Sequence, residues 1–388
     1  MKNISQSIRK FTFPTSIEVG DGVVKELCKT LQDQNCNSPL IVTDQTVAKL
    51  SFIETIKNDL TVANLKPNIY CNFAGNPIEN HVNNGVTAYK SHKADSIIAI
   101  GGGAAIDVAK AIALMVNHPG SVFDYEDGNP NSLIVNQEVP FVIAVPTTAG
   151  TGSEVGRSSV ISENKSRQKK IIFDPKMLPQ HVLLDPQLSI YLPPQVTATT
   201  GIDAFTHLIE AFLVDDYSPL CDGIALQGIK LIHENLIRAF DFSKKPKANK
   251  EQLDVRQNML VASLMGATAF QKGLGVNHSC AHALSTVCDL HHGLANALML
   301  RHTMEFNGKI CQDKHSEIMN FIGVNQDFVS YIREMLKQLD LLKNLSAYDV
   351  TVEHLKPLCD VAILDVCHQS NPRKVSYEDF EDLFKIAL

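Results

Sequence analysis

The segment GIDAFTHLIEAF, residues 201–212, sets an aspartate and a histidine four positions apart in an otherwise apolar stretch: Asp203 and His207. On a helix, positions i and i+4 project from one face a turn apart, so both side chains can reach a single ion. Further along, GVNHSCAHALSTVCDLHHG repeats the spacing with His278 and His282, and His292 follows fourteen residues after His278. A lone histidine on an apolar face is usually a satisfied core residue. One carboxylate and several imidazoles beside glycine punctuation are harder to explain by packing. Burying Asp203 without a cation is costly, and a divalent ion offsets that cost. The residues therefore predict that the Asp203/His207 pair holds a metal.

A second chemistry lies upstream. In IAIGGGAAIDVAK an apolar strand runs directly into an amphipathic helix through Gly101, Gly102 and Gly103. Glycines let the backbone turn tightly and approach a bulky anion, which free amides and the helix dipole then stabilise. A second strand ends in VPTTAGTGSEV, where Thr147, Thr148, Thr151 and Ser153 surround two glycines. Two such loops at strand carboxyl ends predict a dinucleotide crevice. The run IVTD closes a third strand on Asp44, whose carboxylate can accept from an adenosine ribose and repel a 2'-phosphate, favouring NAD over NADP; a strand-end aspartate is also a common helix cap.

Positioning these groups requires a particular order of elements. Apolar runs at 39–44, 68–73, 96–103, 141–148 and 181–186 read as buried strands, with room for helices in most intervals. This is the pattern of a Rossmann-like α/β domain with a mainly parallel sheet. From about Pro193 the strand signals stop, and stretches such as 220–239 and 252–270 carry apolar residues at helical spacing, with a lysine-rich break at 241–252. The expected organisation is an NAD-binding α/β domain over 1–188 and a helical metal-binding domain over 189–388.

Bulk composition narrows the partners. The 388 residues carry 35 Lys and Arg against 42 Asp and Glu, a net charge of −7 that argues against nucleic acid or an anionic bilayer as main partner. The start, MKNISQSIRKFTFPTS, has basic residues but no apolar run behind them, so neither a signal peptide nor a spanning segment is expected and the cytoplasm is the default. Nine cysteines without any C-x-x-C spacing fit reduced, buried thiols.

The chain resembles the iron-containing (group III) alcohol dehydrogenases through GGGAAIDVAK, PTTAGTGSEV, GIDAFTHLIEA, HSCAHAL and HHGLANALMLRHTMEFN, in that order and across nearly its whole length. The resemblance implies the fold that this family shares with the dehydroquinate synthases. It also implies a divalent metal, iron by family habit with zinc possible on ligand chemistry, held by Asp203, His207, His278 and His292. His282 would stand beside the site as a proton relay or cofactor contact. Asp44, Asn76 and Pro77 would lie near the adenosine, and Gly102 and Gly103 on the pyrophosphate with Thr147, Thr148 and Thr151 nearby. Lys169 would contact ribose or phosphate. Asp107 and Lys110 look like motif residues that fix the loop, with an exposed helix pair as the alternative. The implied reaction is hydride transfer between NAD and a small primary alcohol or its aldehyde, the metal acting as Lewis acid, in a homodimer or higher homo-oligomer.

Several positions depart from the family pattern. Ala104 replaces a serine, Ala283, Leu284 and Ser285 replace a proline-containing turn, His291 replaces a proline, and Arg301 and His302 alter a later motif. Gly156 and Arg157 stand where smaller polar or apolar residues are common. Ser158, Phe270, Cys367 and His368 are candidates for shaping the substrate pocket. Two rival functions remain: a metal- and NAD-dependent lyase of the dehydroquinate synthase type, which needs a basic cluster that is not seen around the ligands, and a non-catalytic protein locked by its ion, for which closed, thiolate-rich coordination is usual.

Overall fold

The computed structural model describes residues 11–13, 15–164 and 168–388. The reading of the chain's start falls largely on residues 1–10 and lies outside the described residues. Strands β1 (Ser16–Val19), β2 (Pro39–Val42), β3 (Asn68–Tyr70), β4 (Ser96–Gly101) and β5 (Phe141–Pro146) share one sheet with a later strand. Between them β6 (Ser158–Ser162) and β7 (Lys169–Phe173) form a separate antiparallel hairpin, and β8 (His181–Leu184) returns to the main sheet. The six-stranded sheet is parallel throughout, in the order β1-β8-β5-β4-β2-β3.

All five apolar runs read from the sequence are strands of this sheet. Their periodicity is hidden because both faces are buried. On one face Ile98, Ile100, Ile143 and Val145 pack under α1 (Leu27–Asp33) and α2 (Ser51–Val62). On the other, Ile97, Ala99, Val142 and Ala144 pack under α3 (Glu79–His92) and α4 (Gly103–Met115). The sequence reading has no counterpart for β1 or for the β6–β7 hairpin. Edge strand β1 is not fully buried at any position, and the hairpin strands carry serines and lysines, so neither shows a continuous apolar run.

Among the described residues no strand follows Leu184. The rest is helical: α5 (Pro194–Leu213), α6 (Pro219–Ser243), α7 (Lys250–Ala269), α8 (Val276–Val287), α9 (His292–Ile322), α10 (Phe328–Gln338), α11 (Leu355–Ala362) and α12 (Tyr377–Ala387). The lysine-rich stretch breaks α6 from α7 as expected. Helix α5 starts on Pro194, which presets its first turn, and is buried over most of its length. Gly201 and Gly228 allow α6 this close: a Cβ on Gly201 would lie 2.2 Å from Leu236 Cδ1, and one on Gly228 2.4 Å from Leu208 Cδ2. The apolar face of α5 continues into the core on the α4 side of the sheet, which fixes the helical half against the strand ends. Among the described residues no single helix is long and apolar enough to cross a membrane.

The chain leaves β2 outward to β3 and then returns to place β4 and β5 on the other side of β2. The sheet's switch point therefore lies between β2 and β4, where an α/β sheet opens a ligand crevice at its carboxyl edge. Asp44, Gly101 and Thr147 all sit at that edge.

Candidate functional site

Helix α5 presents Asp203 and His207 one turn apart, as their spacing requires, and α8 brings His278 against them. One donor atom from each of the three lies within 4.8 Å of the others, and all three residues are buried. The imidazoles of His207 and His278 stand 4.4 Å apart between ring centroids. His292, the first residue of α9, adds its Nε2 at 3.4 Å from Asp203 Oδ1, outside the tight group of three. A specific contact sets this placement: a Cβ on Gly293 would fall 2.4 Å from the Thr199 carbonyl oxygen, so only glycine lets α9 start against α5. His291, which stands in place of a family proline, is exposed at the N-cap of α9.

Burial dominates the electrostatics. It pushes the Asp203 carboxyl up to about 7, against the Asn296 hydrogen bond and the Lys169 charge, which pull it down. It holds His207 and His292 well below the ordinary imidazole value and takes His278 down to about 3. All three rings are therefore neutral and able to donate a lone pair. His278 Nε2, His207 Nδ1 and His292 Nδ1 are buried without a hydrogen-bond partner. Orphaned imidazole nitrogens beside a buried carboxylate are the signature of a cation site, and the oxygen and nitrogen donors fit iron or zinc.

Two orienting residues were not singled out in the sequence. Glu210, seven positions after Asp203 and on the same face of α5, accepts from His278 Nδ1 at 2.6 Å and from the Asn277 amide at 2.7 Å. This aims His278 Nε2 toward Asp203, 3.9 Å away. Asn296, four positions after His292, donates from Nδ2 to Asp203 Oδ1 at 2.7 Å, and its Oδ1 accepts from Asn277 Nδ2 at 2.8 Å. Such partners fix tautomer and ring angle. Glu210→Gln is expected to weaken metal binding about 10- to 100-fold, read by competition with a calibrated chelator.

The glycine loop meets the helical half through the loop after β5, where a Cβ on Gly150 would lie 2.9 Å from Thr200 Cβ of α5. Helix α4 begins at Gly103 with Gly102 as its cap. A Cβ on Gly103 would lie 2.5 Å from Thr151 Oγ1, so the two loops close on each other there through glycine, while one on Gly102 would stand a tight 3.3 Å from Thr148 Oγ1. Thr147 donates its amide to the Gly101 carbonyl at 2.9 Å. Asp44 Oδ1 caps the following turn by accepting from the Thr46 and Val47 amides, while Oδ2 faces Gly101 across the switch point, 3.7 Å from where a Cβ would stand. The cap thus uses Oδ1 alone. Thr43 Oγ1, at the same edge, is buried without a partner. These features fit a dinucleotide phosphate seat.

Asp107 and Lys110 are not an exposed pair. Lys110 is 1 % exposed and donates to the Ser153 carbonyl and hydroxyl, the Gly156 carbonyl and the Ser158 carbonyl. Asp107 accepts from Ser153 Oγ and the Val160 amide. Together they tie α4 to the loop after β5 and to the hairpin, so Asp107's carboxylate is engaged within the protein. Asn76 Nδ2 donates to Asp289 Oδ1 at 3.1 Å, while the Pro77 carbonyl accepts from the Ser162 amide of β6. Lys169, at the start of β7, is pushed down to about 8 by burial, against the pull of Asp289, Asp203, Asp107 and Asp365.

His282 stands beside the centre, its ring stacked on His292 at 5.2 Å. Its Nδ1 pairs with Asp365 Oδ2 at 2.7 Å, and Asp365 Oδ1 accepts from Ser279 Oγ and the Cys367 amide. Burial works to raise Asp365, but the His282 charge and these hydrogen bonds hold it below the ordinary carboxylate range. Phe270 packs on His207 at 5.2 Å, and His368 packs edge-on to Phe380. Arg157 covers Phe173 of β7 at 5.5 Å. Arg301 donates to His302 Nε2 at 2.8 Å, and burial, aided by the Arg301 and Arg333 charges, pushes that ring down to about 4, leaving it neutral. All nine cysteines are free.

A parallel α/β domain followed by an all-helical one, with a buried acid–imidazole triad that could hold a metal, defines the class of the protein. The model of iron-containing alcohol dehydrogenases matches residues 14–186, and the C-terminal model of the same family matches residues 197–388. The chain belongs to the iron-containing alcohol dehydrogenase family and is an oxidoreductase of that family. It is 31% identical to the NAD-dependent methanol dehydrogenase of Bacillus methanolicus, over 97% of this chain and 99% of that one. It is also 31% identical to the 4-hydroxybutyrate dehydrogenase of Cupriavidus necator, over 96% of this chain and 98% of that one. A solved structure of a 1,3-propanediol oxidoreductase superposes with a TM-score of 0.91 at 28% identity, covering 98% of this chain and 100% of that one.

Proposed function

We propose that this protein interconverts a small primary alcohol and its aldehyde, with Asp203, His207, His278 and His292 holding a divalent metal and NAD lying along the Gly101–Gly103 and Thr147–Thr151 loops. The observation that carries the reading is the buried, unpartnered His278 Nε2, held by Glu210 toward Asp203 and His207. When bound, the metal would supply Lewis-acid polarisation of the substrate oxygen, and NAD would supply the hydride acceptor. The protein's own residues do the rest. Asp44 presents a carboxylate where an adenosine ribose would lie, which supports NAD over NADP. The Lys110–Asp107 ties keep both loops in register, and Phe270 closes the apolar side of the centre over His207. His282, part-exposed and held at Nδ1 by Asp365, keeps Nε2 for a proton passing between the substrate oxygen and water.

The names of the relatives, which span methanol, 4-hydroxybutyrate and 1,3-propanediol, support a short hydroxyl-bearing substrate without choosing among them. The test is absorbance at the NADH band when metal-reconstituted protein is mixed with NAD and a panel of short alcohols and diols. A rise with at least one alcohol is expected. Silence over the whole panel, with stoichiometric metal confirmed, would favour the lyase or the purely structural ion. Asp365→Asn keeps the volume but loosens His282, and is expected to lower kcat about 100-fold while metal content and KM change little. An unchanged kcat and pH–rate profile would remove His282 from the proton path.

A further inference from the structure

We propose that His282, Asp365 and Cys367 form a second divalent-cation site beside the Asp203/His207/His278 centre, selective for a thiophilic ion such as zinc(II), and that filling it blocks turnover. One donor atom from each of the three residues lies within 4.8 Å of the others. Each residue is only part-buried, whereas the first centre is closed off, so an ion can enter without opening the core. The blocking effect rests on the dehydrogenase reading, because it acts by immobilising His282; the cation site itself does not.

The geometry is close to what a small tetrahedral ion needs. Bonds of about 2.0–2.3 Å space neighbouring donors roughly 3.3–3.8 Å apart. The His282 Nδ1 to Asp365 Oδ2 contact of 2.7 Å therefore has to open by less than about 1 Å. Asp365 is already held in place through its other oxygen, which accepts from Ser279 Oγ at 2.7 Å and the Cys367 amide at 2.9 Å. Those bonds leave Oδ2 for the ion. The sulfur is what separates the two sites chemically. The first centre offers only carboxylate and imidazole, while the second adds a thiol, which favours zinc over harder cations.

Cys367 is a neutral thiol without an ion, because burial raises it and the nearby Asp365 and Glu210 charges add to the effect. Binding therefore replaces the thiol proton by the metal and releases that proton to solvent; no electron is transferred. Once His282 Nδ1 is a ligand, the ring stacked on His292 is fixed and Asp365 no longer serves it as hydrogen-bond acceptor. A part-exposed ion then stands beside the catalytic centre.

Cobalt(II) distinguishes the two sites in the full-length protein, because only a sulfur-ligated ion gives a thiolate-to-cobalt charge-transfer band in the near ultraviolet. The first equivalent is expected to give visible d–d bands alone, and the second to add the charge-transfer band. Zinc(II) added to protein with a filled first site should abolish the second-site band and inhibit turnover while the first-site d–d bands persist. In Cys367→Ser the charge-transfer band should vanish, and the zinc concentration needed for inhibition should rise at least about tenfold. Asp365→Asn, which leaves the thiol in place, should weaken the second equivalent to a similar degree. Absence of the band at excess cobalt, its survival in Cys367→Ser, or zinc inhibition unchanged in that variant would each overturn the proposal. Failure of the first equivalent to bind would instead overturn the dehydrogenase reading, so the two failures are told apart.

Discussion

His278→Ala is expected to lose its bound metal and nearly all turnover together. Three effects coincide at this position. The variant removes the donor whose Nε2 is aimed at Asp203 and His207, and so takes one of three tightly grouped ligands from the centre. It leaves Glu210 Oε2 without the ring that occupies it at 2.6 Å, deep in the helical core. It also opens a cavity against the His207 and His292 rings, both of which pack on His278. Loss of a Lewis acid is worth several kcal/mol of transition-state stabilisation, and about 4 kcal/mol corresponds to a rate loss of roughly 10³-fold. The packing and hydrogen-bond losses should lower unfolding free energy by about 2–4 kcal/mol. Metal analysis after gel filtration, alongside steady-state rates, checks the coupling. Soluble imidazole should restore part of both, since it fits the vacated space and supplies the same nitrogen. Retained turnover of His278→Ala in chelator-treated buffer would leave the proposed chemistry without its centre.

Much of this centre is legible in the amino-acid sequence because its geometry is helical and local. Asp203 and His207 are a turn apart on one helix, and His278 precedes His282 by the same interval, so spacing alone places each pair on a face. Glu210 was available by the same rule, since i+7 continues the Asp203 face, and Asn296 stands one turn after His292. Asp365 was not: it lies 83 positions from His282, in the connection after α11, where nothing periodic marks it. Lys110 shows the opposite problem. Its i, i+3 spacing from Asp107 suits a solvated pair equally well, and only the loop after β5 and the hairpin, folding over α4 from more than forty positions away, bury it. The central strands were readable because burial on both faces leaves an unbroken apolar run. The hairpin strands were not, because β6 reads SSVIS and β7 opens on two lysines. Contacts made by one element are written in its own residues; contacts made by elements arriving from elsewhere are not.

Removing the metal is expected to cost stability, and more at about pH 7.5 than at about pH 6.5. Burial lifts the carboxyls of Asp203 and Glu210 to about 7, so the metal-free folded protein keeps protons on them that the unfolded chain releases near pH 4. Over that interval the folded state binds more protons, and this contribution to stability falls as pH rises. His207, His278 and His292 work the other way. Their folded-state values are depressed, so their contribution grows with pH but is complete once the unfolded imidazoles have lost their protons, at about pH 6.5. Lys169, pushed down to about 8, begins to add stability only above that pH. Between about pH 6.5 and 8 the carboxyls therefore govern this site, and the metal-free protein should weaken. A bound ion acts in the opposite sense: it requires the ionised carboxylate and the neutral rings, so its hold strengthens as pH rises. At free metal a thousandfold above Kd it contributes about 4 kcal/mol. Thermal unfolding with and without chelator at the two pH values measures the difference directly. A gap between loaded and stripped protein that widens toward neutrality is the expected result. Equal unfolding temperatures at both pH values, with metal loss verified, would mean that Asp203 is neutralised by something other than a cation.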